Sequence, residues 1–338
     1  MRLILLKITS VILLAILLFN CTKNSAEEME PNTATQLTPY AVNIPDYFPK
    51  MEIPADNPLT VEGISLGRQL YYDPILSNNG NSCSTCHNSA EAFSSYSANS
   101  LPHINLAWNS TYLWDGHING TLEDIMKFEV EDFFQTDISK LNNSSYYRSE
   151  FKKVFNVDVI THKNVEYALA QFFRVMVSSN SLYDKFYQHT ANFTPSQMNG
   201  FITFITEKGD CFHCHSVGLF TDNRFHNIGI DSVFTGVNAG RYNYTNNPSD
   251  LGLFKTPTLR NIELTPPYMH DGRFQTLEEV VDFYNSGVKH SATLDPIMTK
   301  GTKMFGLGLS ATDKQDLVAF LKTLTDTTFT KNPMLQQP

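Results

Sequence analysis

The chain carries the pentapeptide C-x-x-C-H twice, as CSTCH at 83–87 and as CFHCH at 211–215. Four of its five cysteines lie in these two motifs. Two thiols at this spacing can add to the two vinyl groups of a haem, and the histidine that follows becomes the proximal iron ligand. The motifs therefore predict two covalently attached c-type haems, held by Cys83, Cys86 and His87 and by Cys211, Cys214 and His215.

Other chemistries that use paired cysteines explain the pattern less well. A structural zinc site brings two C-x-x-C knuckles much closer together in sequence. Disulfide exchange needs one C-x-x-C motif and no histidine after it. A disulfide framework is typical of short, cysteine-dense chains. Only haem attachment accounts for both histidines.

The first twenty residues predict export from the cytoplasm. A basic start is followed by an apolar run from Ile8 to Phe19, which is typical of a signal peptide over residues 1–20. The run is shorter than the roughly 20 apolar residues of a membrane span, although a single anchor is the alternative. Cys21 follows directly, which predicts either a lipid anchor at that residue or an unpaired cysteine near the cleavage point. We therefore expect a periplasmic protein whose membrane contact is limited to a lipid at Cys21.

Polar, proline-interrupted residues at 21–45 are predicted to form a flexible tether. The formal net charge of -9 argues against a nucleic-acid partner, which would need a basic surface.

Helix start signals recur along the rest of the chain. Thr194, Thr276 and Ser310 each begin a capping box, and Thr121 begins the amphipathic stretch LEDIMKFEVEDFF. A further helix is predicted over VEYALAQFFRVMVSS. Alternating strand patterns are scarce. The predicted fold class is mostly α, with long loops around the haems.

Three long segments resemble one protein family: LGRQLYYDPILSNNGNSCSTCHNS, LWDGH and FKTPTLRNIELTPPYMHDGRFQTLEEVVDFY. They are similar to the bacterial di-haem cytochrome c peroxidase family, over about residues 46–330. That family includes the di-haem enzyme that matures the tryptophan-derived quinone of methylamine dehydrogenase. The resemblance implies two cytochrome c-like domains, at 46–190 and 191–330. Haem 1, in the first domain, would react with hydrogen peroxide, and haem 2 would relay electrons.

The resemblance also implies roles for individual residues. Trp114 is expected on the electron path between the haems. A calcium ion is expected near the domain junction, on Asn99, Thr265 and Pro267. A small electron-donor protein or a protein substrate is the implied partner, and a homodimer is implied by analogy.

At haem 2 the chain departs from many peroxidases of the family, which have methionine nine residues along the TLEE helix. Tyr284 stands there, as a tyrosine does in the quinone-maturing relatives. A phenolate is a harder donor than a thioether, so it favours ferric iron and lowers the reduction potential. We predict Tyr284 as the second iron ligand of haem 2, with Met298 or Met304 as the alternative.

At haem 1 the residues that transfer protons in the family are replaced. Gln and Glu are expected ten and twenty residues after the tryptophan, but Asp124 and Phe134 occupy these positions. Phe128 occupies the place of the intervening proline. Because cleavage of the O–O bond needs a proton-transfer group, Asp124, Glu129 and Glu131 become the candidates beside Trp114.

Two histidines offer a different interpretation of haem 1. His103 or His117, which replaces the usual arginine of the WDGR motif, could close the sixth iron position.

Three functional hypotheses follow. The leading hypothesis is an exported di-haem oxidoreductase that reacts with hydrogen peroxide at haem 1. The second is a protein-modifying oxidase that withdraws electrons from a partner protein through a bis-ferryl-type state. The third is a non-catalytic electron carrier or sensor, in which both irons are six-coordinate.

Overall fold

The computed structural model describes residues 36–299, 303 and 306–338. The predicted signal peptide, Cys21, most of the predicted tether and Met304 lie outside these residues. Within the described part of the chain, no helix combines the length and the apolar character needed to cross a membrane.

Helices make up most of the regular structure, which confirms the predicted mostly α fold class. The two short antiparallel pairs are β1 (Thr111–Tyr112) with β2 (Ile118–Asn119) and β3 (Phe225–His226) with β4 (Phe254–Lys255). The α-helices of the described residues are α1 (Val61–Tyr72), α2 (Cys83–Cys86), α3 (Leu122–Lys127), α4 (Ile138–Asn143), α5 (Ser145–Phe155), α6 (His162–Arg174), α7 (Leu182–Tyr187), α8 (Pro195–Phe204), α9 (Tyr242–Thr245), α10 (Leu277–Asp282), α11 (Ala311–Lys322) and α12 (Thr327–Thr330).

The predicted helix starts are confirmed. Capping boxes begin α3 at Thr121, α8 at Thr194, α10 at Thr276 and α11 at Ser310. In each box the side chain at the third helical position bonds back to the capping residue, so backbone groups at the helix start are satisfied.

Two of these helices end differently from the sequence-based expectation of a single continuous helix. α3 runs into a π-helical turn at Phe128–Phe133, and α10 runs into a second one at Phe283–Gly287. In the first turn the Phe134 amide donates to the Glu129 carbonyl oxygen five residues earlier, at 2.9 Å. Such wide turns are rare and often occur at functional sites.

Each half of the chain contains one close pair of helices that crosses at a glycine. α1 packs on α6 where Gly67 meets the Ala168 carbonyl, and α8 packs on α11 where Gly200 meets the Asp316 carbonyl. A side chain at either glycine would overlap the backbone of the facing helix. The two halves therefore share one plan: a glycine-containing helix, a C-x-x-C-H motif, a capped helix with a π-turn, and a closing helix.

The buried side chains form two main hydrophobic clusters. The first extends from Ile64 to Met176, and the second extends from Tyr183 to Leu324. Phe329, near the end of the chain, returns to the first cluster and packs against Phe93 with 5.3 Å between ring centroids. Tyr183 and Phe329 therefore each belong to the cluster on the other side of the predicted domain boundary at residue 190.

The end of the predicted tether is part of the folded body. The Tyr40 amide donates to the Leu59 carbonyl oxygen and the Val61 amide donates to that of Thr38. Farther along, the Trp108 indole donates to the Pro49 carbonyl oxygen at 2.7 Å. These hydrogen bonds hold the chain from Thr38 onward against the protein.

Candidate haem sites

The histidines of both motifs are oriented by the same backbone contact. His87 Nδ1 hydrogen bonds to the Phe93 carbonyl oxygen at 3.0 Å, and His215 Nδ1 hydrogen bonds to that of Phe220 at 3.1 Å. This bond leaves Nε2 as the nitrogen that can bind a metal. Burial lowers the pKa of each histidine to about 4, so both rings are neutral. Both histidines therefore have the form that a proximal iron ligand requires.

None of the four motif cysteines forms a disulfide bond with another described residue. Cys83 and Cys86 begin and end the one-turn helix α2, which projects both side chains on one side of the turn. Cys211 and Cys214 span a 3₁₀ turn in the second motif. Burial raises the pKa of Cys83 well above its usual range and raises that of Cys211 to about 12.

A large, mostly apolar cavity adjoins the second motif. Cys211, Cys214 and His215 line one side of it, and Tyr284 and Met298 also reach its wall. This set of two thiols, a neutral imidazole and apolar walls fits a covalently attached haem. Two of the three predicted candidates for the second iron ligand, Tyr284 and Met298, thus line the cavity. The third, Met304, is outside the described residues.

Burial opposes ionisation of Tyr284 and raises the pKa of its phenol well above the usual range, with smaller contributions from Cys214 and Cys211. A buried phenol in this position would ionise only beside a strong positive charge, such as ferric iron.

Trp114 belongs to the loop between β1 and β2 in the first half, yet it lines the cavity of the second motif. Its carbonyl oxygen accepts a hydrogen bond from the Lys255 amide at 2.8 Å, which fixes the loop against β4. The structure therefore brings the predicted electron-path residue from the first half to the second haem site.

The two π-turns place Glu129 and Tyr284 at corresponding positions. TLEDIMKFE and TLEEVVDFY each begin with a capping threonine, Thr121 or Thr276, and each ends eight residues later. Both final residues lie inside the π-helical turns. After the larger effect of burial, Glu129 helps to raise the pKa of Cys83, and Cys214 helps to raise the pKa of Tyr284. Glu129 therefore lies near the first motif, as Tyr284 lies near the second.

Burial raises the pKa of Glu129 to about 7. Of the three carboxylates predicted as proton-transfer candidates, this one is largely shielded from solvent. Glu131 is exposed and interacts with Glu166, whose pKa it helps to raise after the larger effect of burial.

Asp124 is occupied at the start of α3. Its Oδ2 accepts hydrogen bonds from the Thr121 amide at 2.7 Å and from the Thr121 hydroxyl at 3.0 Å. The capping box of α3 thus uses the carboxylate that counting from Trp114 assigned to proton transfer. Phe134 is buried in the first hydrophobic cluster.

His103 lies beside the proximal ligand of haem 1. Its ring stacks on that of His87 with centroids 3.4 Å apart and planes 16° apart, and Tyr71 Oη lies 3.2 Å from its Nδ1. The structure thus places the His103 ring against the face of the His87 ring. His117 instead pairs with Asp115 at 2.7 Å and packs edge-on against Phe128.

Two of the residues expected to bind calcium, Asn99 and Pro267, lie close together. The Asn99 amide nitrogen donates to the carbonyl oxygens of Met269 and His270, at 3.1 and 2.9 Å. Asn99 and the ring of Pro267 both border Gly272. This contact places Asn99 next to the segment that contains Thr265 and Pro267.

His226 is a feature of the second cavity that sequence reasoning missed. Its Nδ1 lies 2.5 Å from Asp295 Oδ2 and its Nε2 lies 2.9 Å from Asp222 Oδ2. Burial opposes its charge, but the two carboxylates prevail and raise the pKa of His226 to about 12. No spacing in the sequence joins Asp222 to Asp295, so only the fold could identify this triad.

Comparison with known proteins agrees with the geometry. A family model described as di-haem cytochrome c peroxidase matches residues 61–192. The methylamine utilization protein MauG of Methylorubrum extorquens is 31% identical over 80% of this chain and 80% of its own length. MauG of Methylophilus methylotrophus is 32% identical over 83% and 86%. The cytochrome c551 peroxidase of Nitrosomonas europaea is 30% identical over 82% and 84%.

Solved structures share the fold. A MauG-like protein associated with microbial copper homeostasis superposes with a TM-score of 0.80 at 31% identity, over 88% of this chain and 99% of that one. The di-haem peroxidase BthA of Burkholderia thailandensis has the same fold, with a TM-score of 0.64 at 21% identity over 83% and 91%. The chain therefore belongs to the di-haem cytochrome c peroxidase family and is an oxidoreductase with two c-type haems.

Proposed function

We propose that this protein is an exported, periplasmic oxidoreductase that reacts with hydrogen peroxide at haem 1 and relays electrons through haem 2. The observation that carries the proposal is the position of Glu129, a partly buried carboxylate in the π-turn near the first haem motif. It provides a proton-transfer group in a chain that lacks the Gln and Glu of the family.

Peroxide cleavage needs a base that takes a proton from one oxygen and an acid that returns it to the leaving oxygen. The bound haem supplies the redox chemistry. A group whose pKa is near the working pH performs both proton transfers most effectively, and the pKa of Glu129 is raised to about 7. Glu129 is thus proposed to accept and return the proton.

At haem 2 we propose Tyr284 as the ligand opposite His215. Tyr284 and Glu129 occupy corresponding positions in the two π-turns, which supports this assignment. One turn would supply a ligand to haem 2, and the other would supply a proton-transfer group to haem 1. Met298 lines the same cavity and is the alternative ligand. Trp114 is proposed to lie on the electron path between the haems.

A second candidate function is the oxidation of a partner protein. Tyr284 favours it, since a phenolate ligand stabilises oxidised iron and suits haem 2 poorly to storing high-potential electrons. The similarity to two MauG proteins over most of the chain also supports it.

Mixing hydrogen peroxide with the haem-loaded, diferric protein tests both candidates. Rapid peroxide consumption with a reduced small cytochrome as donor supports the peroxidase. A long-lived oxidised spectrum without donor turnover supports the protein-modifying oxidase. Glu129→Gln should slow the reaction of haem 1, whereas Glu131→Gln, two residues away, should leave it unchanged. An equal rate in both variants would contradict the role of Glu129.

Three further proposals concern a calcium ion, a lipid anchor and the oligomeric state. Asn99, with the backbone of Thr265 and Pro267, is proposed to hold a calcium ion, because these are oxygen donors that a hard cation prefers. Removal of calcium with a chelator, followed by metal analysis of Asn99→Ala, tests this site. A lipid at Cys21 and a homodimer stay predictions, which mass spectrometry and sedimentation would check.

A further inference from the structure

Tyr47, Tyr183 and Tyr187 form a cluster, here called the tyrosine cluster, near the second haem motif. The ring centroids of Tyr47 and Tyr187 are 4.6 Å apart, and those of Tyr187 and Tyr183 are 6.2 Å apart. Tyr187 is 50% exposed, whereas Tyr183 is buried at 1%. The cluster therefore connects the protein surface with the core of the second half.

The inner end of the cluster reaches the haem 2 ligand through one ring. Tyr183 packs edge-on against Phe220, with centroids 4.8 Å apart. The Phe220 carbonyl oxygen is the hydrogen-bond partner of His215 Nδ1. Because aromatic rings at these separations exchange electrons rapidly, Tyr183 is well placed to exchange electrons with haem 2.

Tyr47, at the outer end of the cluster, has a proton acceptor within hydrogen-bond distance of its hydroxyl. The Tyr47 hydroxyl donates to Asp184 Oδ1 at 2.6 Å. Asp184 is buried and forms a bidentate ion pair with the buried Arg260, at 2.9 and 3.0 Å. A phenol loses an electron much more easily when its proton can leave at the same time. The carboxylate of Asp184 is in position to take that proton.

Tyr47 is also reachable from outside. It lines a cleft between the two halves, whose wall also includes Lys50, Trp108, Val217 and Asn223. A one-electron donor that enters this cleft would meet Tyr47, whose ring lies against that of Tyr187.

We propose that the tyrosine cluster is the electron port of haem 2, through which oxidising equivalents reach the surface at Tyr47 and Tyr187. The proposal rests on the proposed reaction with hydrogen peroxide, which takes up two electrons and two protons and yields two molecules of water. Each tyrosine that is oxidised gives one electron toward haem 2 and loses its phenolic proton, which in Tyr47 passes to Asp184. An external one-electron donor then restores the phenol.

Without a donor, the two neighbouring radicals have each other as partners. Coupling of Tyr47 and Tyr187 forms one carbon–carbon bond, and the two hydrogen atoms lost reduce one hydrogen peroxide to two waters. The test is to treat the haem-loaded full chain with hydrogen peroxide alone and to map cross-linked peptides by mass spectrometry. We expect a dityrosine link between Tyr47 and Tyr187.

Conservative variants separate electron transfer from packing. Tyr187→Phe should abolish the link, and Tyr183→Phe should strongly reduce its yield although the ring remains in the core. Tyr146→Phe, which changes a similarly exposed tyrosine of the first half, should leave the yield unchanged. A purely structural role for Tyr183 predicts an unchanged yield in Tyr183→Phe, and that result would overturn the relay.

Two outcomes distinguish failure of the port from failure of the proposed function. If peroxide is consumed but oxidation is found only at other residues, the tyrosine cluster is not the port and the peroxide reaction still stands. If peroxide leaves the haem spectrum unchanged, the proposed function fails and the port fails with it.

Discussion

Replacement of Glu129 by glutamine should make the folded protein more stable at neutral pH while slowing its reaction with peroxide. Burial raises the pKa of Glu129 from its ordinary 4.5 to about 7 in the folded protein. The folded state therefore keeps a proton that the unfolded chain releases, so stability is highest below about pH 4.5 and falls until about pH 7. The difference of about 2.5 pH units corresponds to a loss of about 3 kcal/mol.

Glutamine does not ionise, so this loss should be absent from Glu129→Gln. Chemical unfolding of the haem-loaded protein, followed by circular dichroism at about pH 5 and about pH 8, measures the effect. The pH-dependent difference between wild type and variant should reach about 3 kcal/mol at the upper pH. Peroxide reduction should slow about 10²- to 10⁴-fold, the range for loss of a general acid or base.

Glu131→Gln is the matched control, because it removes an exposed carboxylate from the same π-turn. Its stability should lack the large pH-dependent change expected of Glu129→Gln, and its peroxide reaction should be normal. If Glu129→Gln showed the same pH dependence of stability as the wild type, Glu129 would not be shielded from solvent, and its pKa would not be raised by burial.

Three other predictions concern the second half. Tyr284→Met should change the absorption spectrum of haem 2 and raise its reduction potential, whereas Met298→Leu should change neither. A spectroelectrochemical titration measures both properties. The reverse result would identify Met298 as the ligand. Arg260→Met leaves the Asp184 carboxylate buried and unpaired, so unfolding by urea should require about 3–5 kcal/mol less, and an unchanged midpoint would contradict the buried pair. Gly200→Val forces a side chain against the backbone of α11, so the free energy of unfolding should fall by about 1–3 kcal/mol in the same assay. An unchanged value would mean that α8 and α11 can separate freely.

The sequence predicted the framework of the site because that framework is local. Haem attachment depends on five consecutive residues, and the helix starts depend on side chains three residues apart. Thr121 and Thr276 could therefore be identified as caps without a structure. The same local signal could have aligned Glu129 with Tyr284, if positions had been counted from the caps instead of from Trp114.

Contacts between distant segments could not be predicted in this way. The stacking of His103 on His87 depends on how a loop closes over the first motif, and no periodicity encodes it. The pairing of Tyr47 with Asp184 joins residues 137 positions apart. The π-turns also escaped prediction, since their hydrophobic pattern is that of an ordinary helix over so short a range.

Electron paramagnetic resonance of the haem-loaded ferric protein tests most directly whether the two π-turns would supply a proton-transfer carboxylate to haem 1 and a phenol-oxygen ligand to haem 2. We expect a high-spin signal from haem 1 that changes in Glu129→Gln, as for an iron with an open position, and a separate haem 2 signal that changes in Tyr284→Met. Two low-spin signals, neither of which responds to substitution of Glu129 or Tyr284, would contradict it.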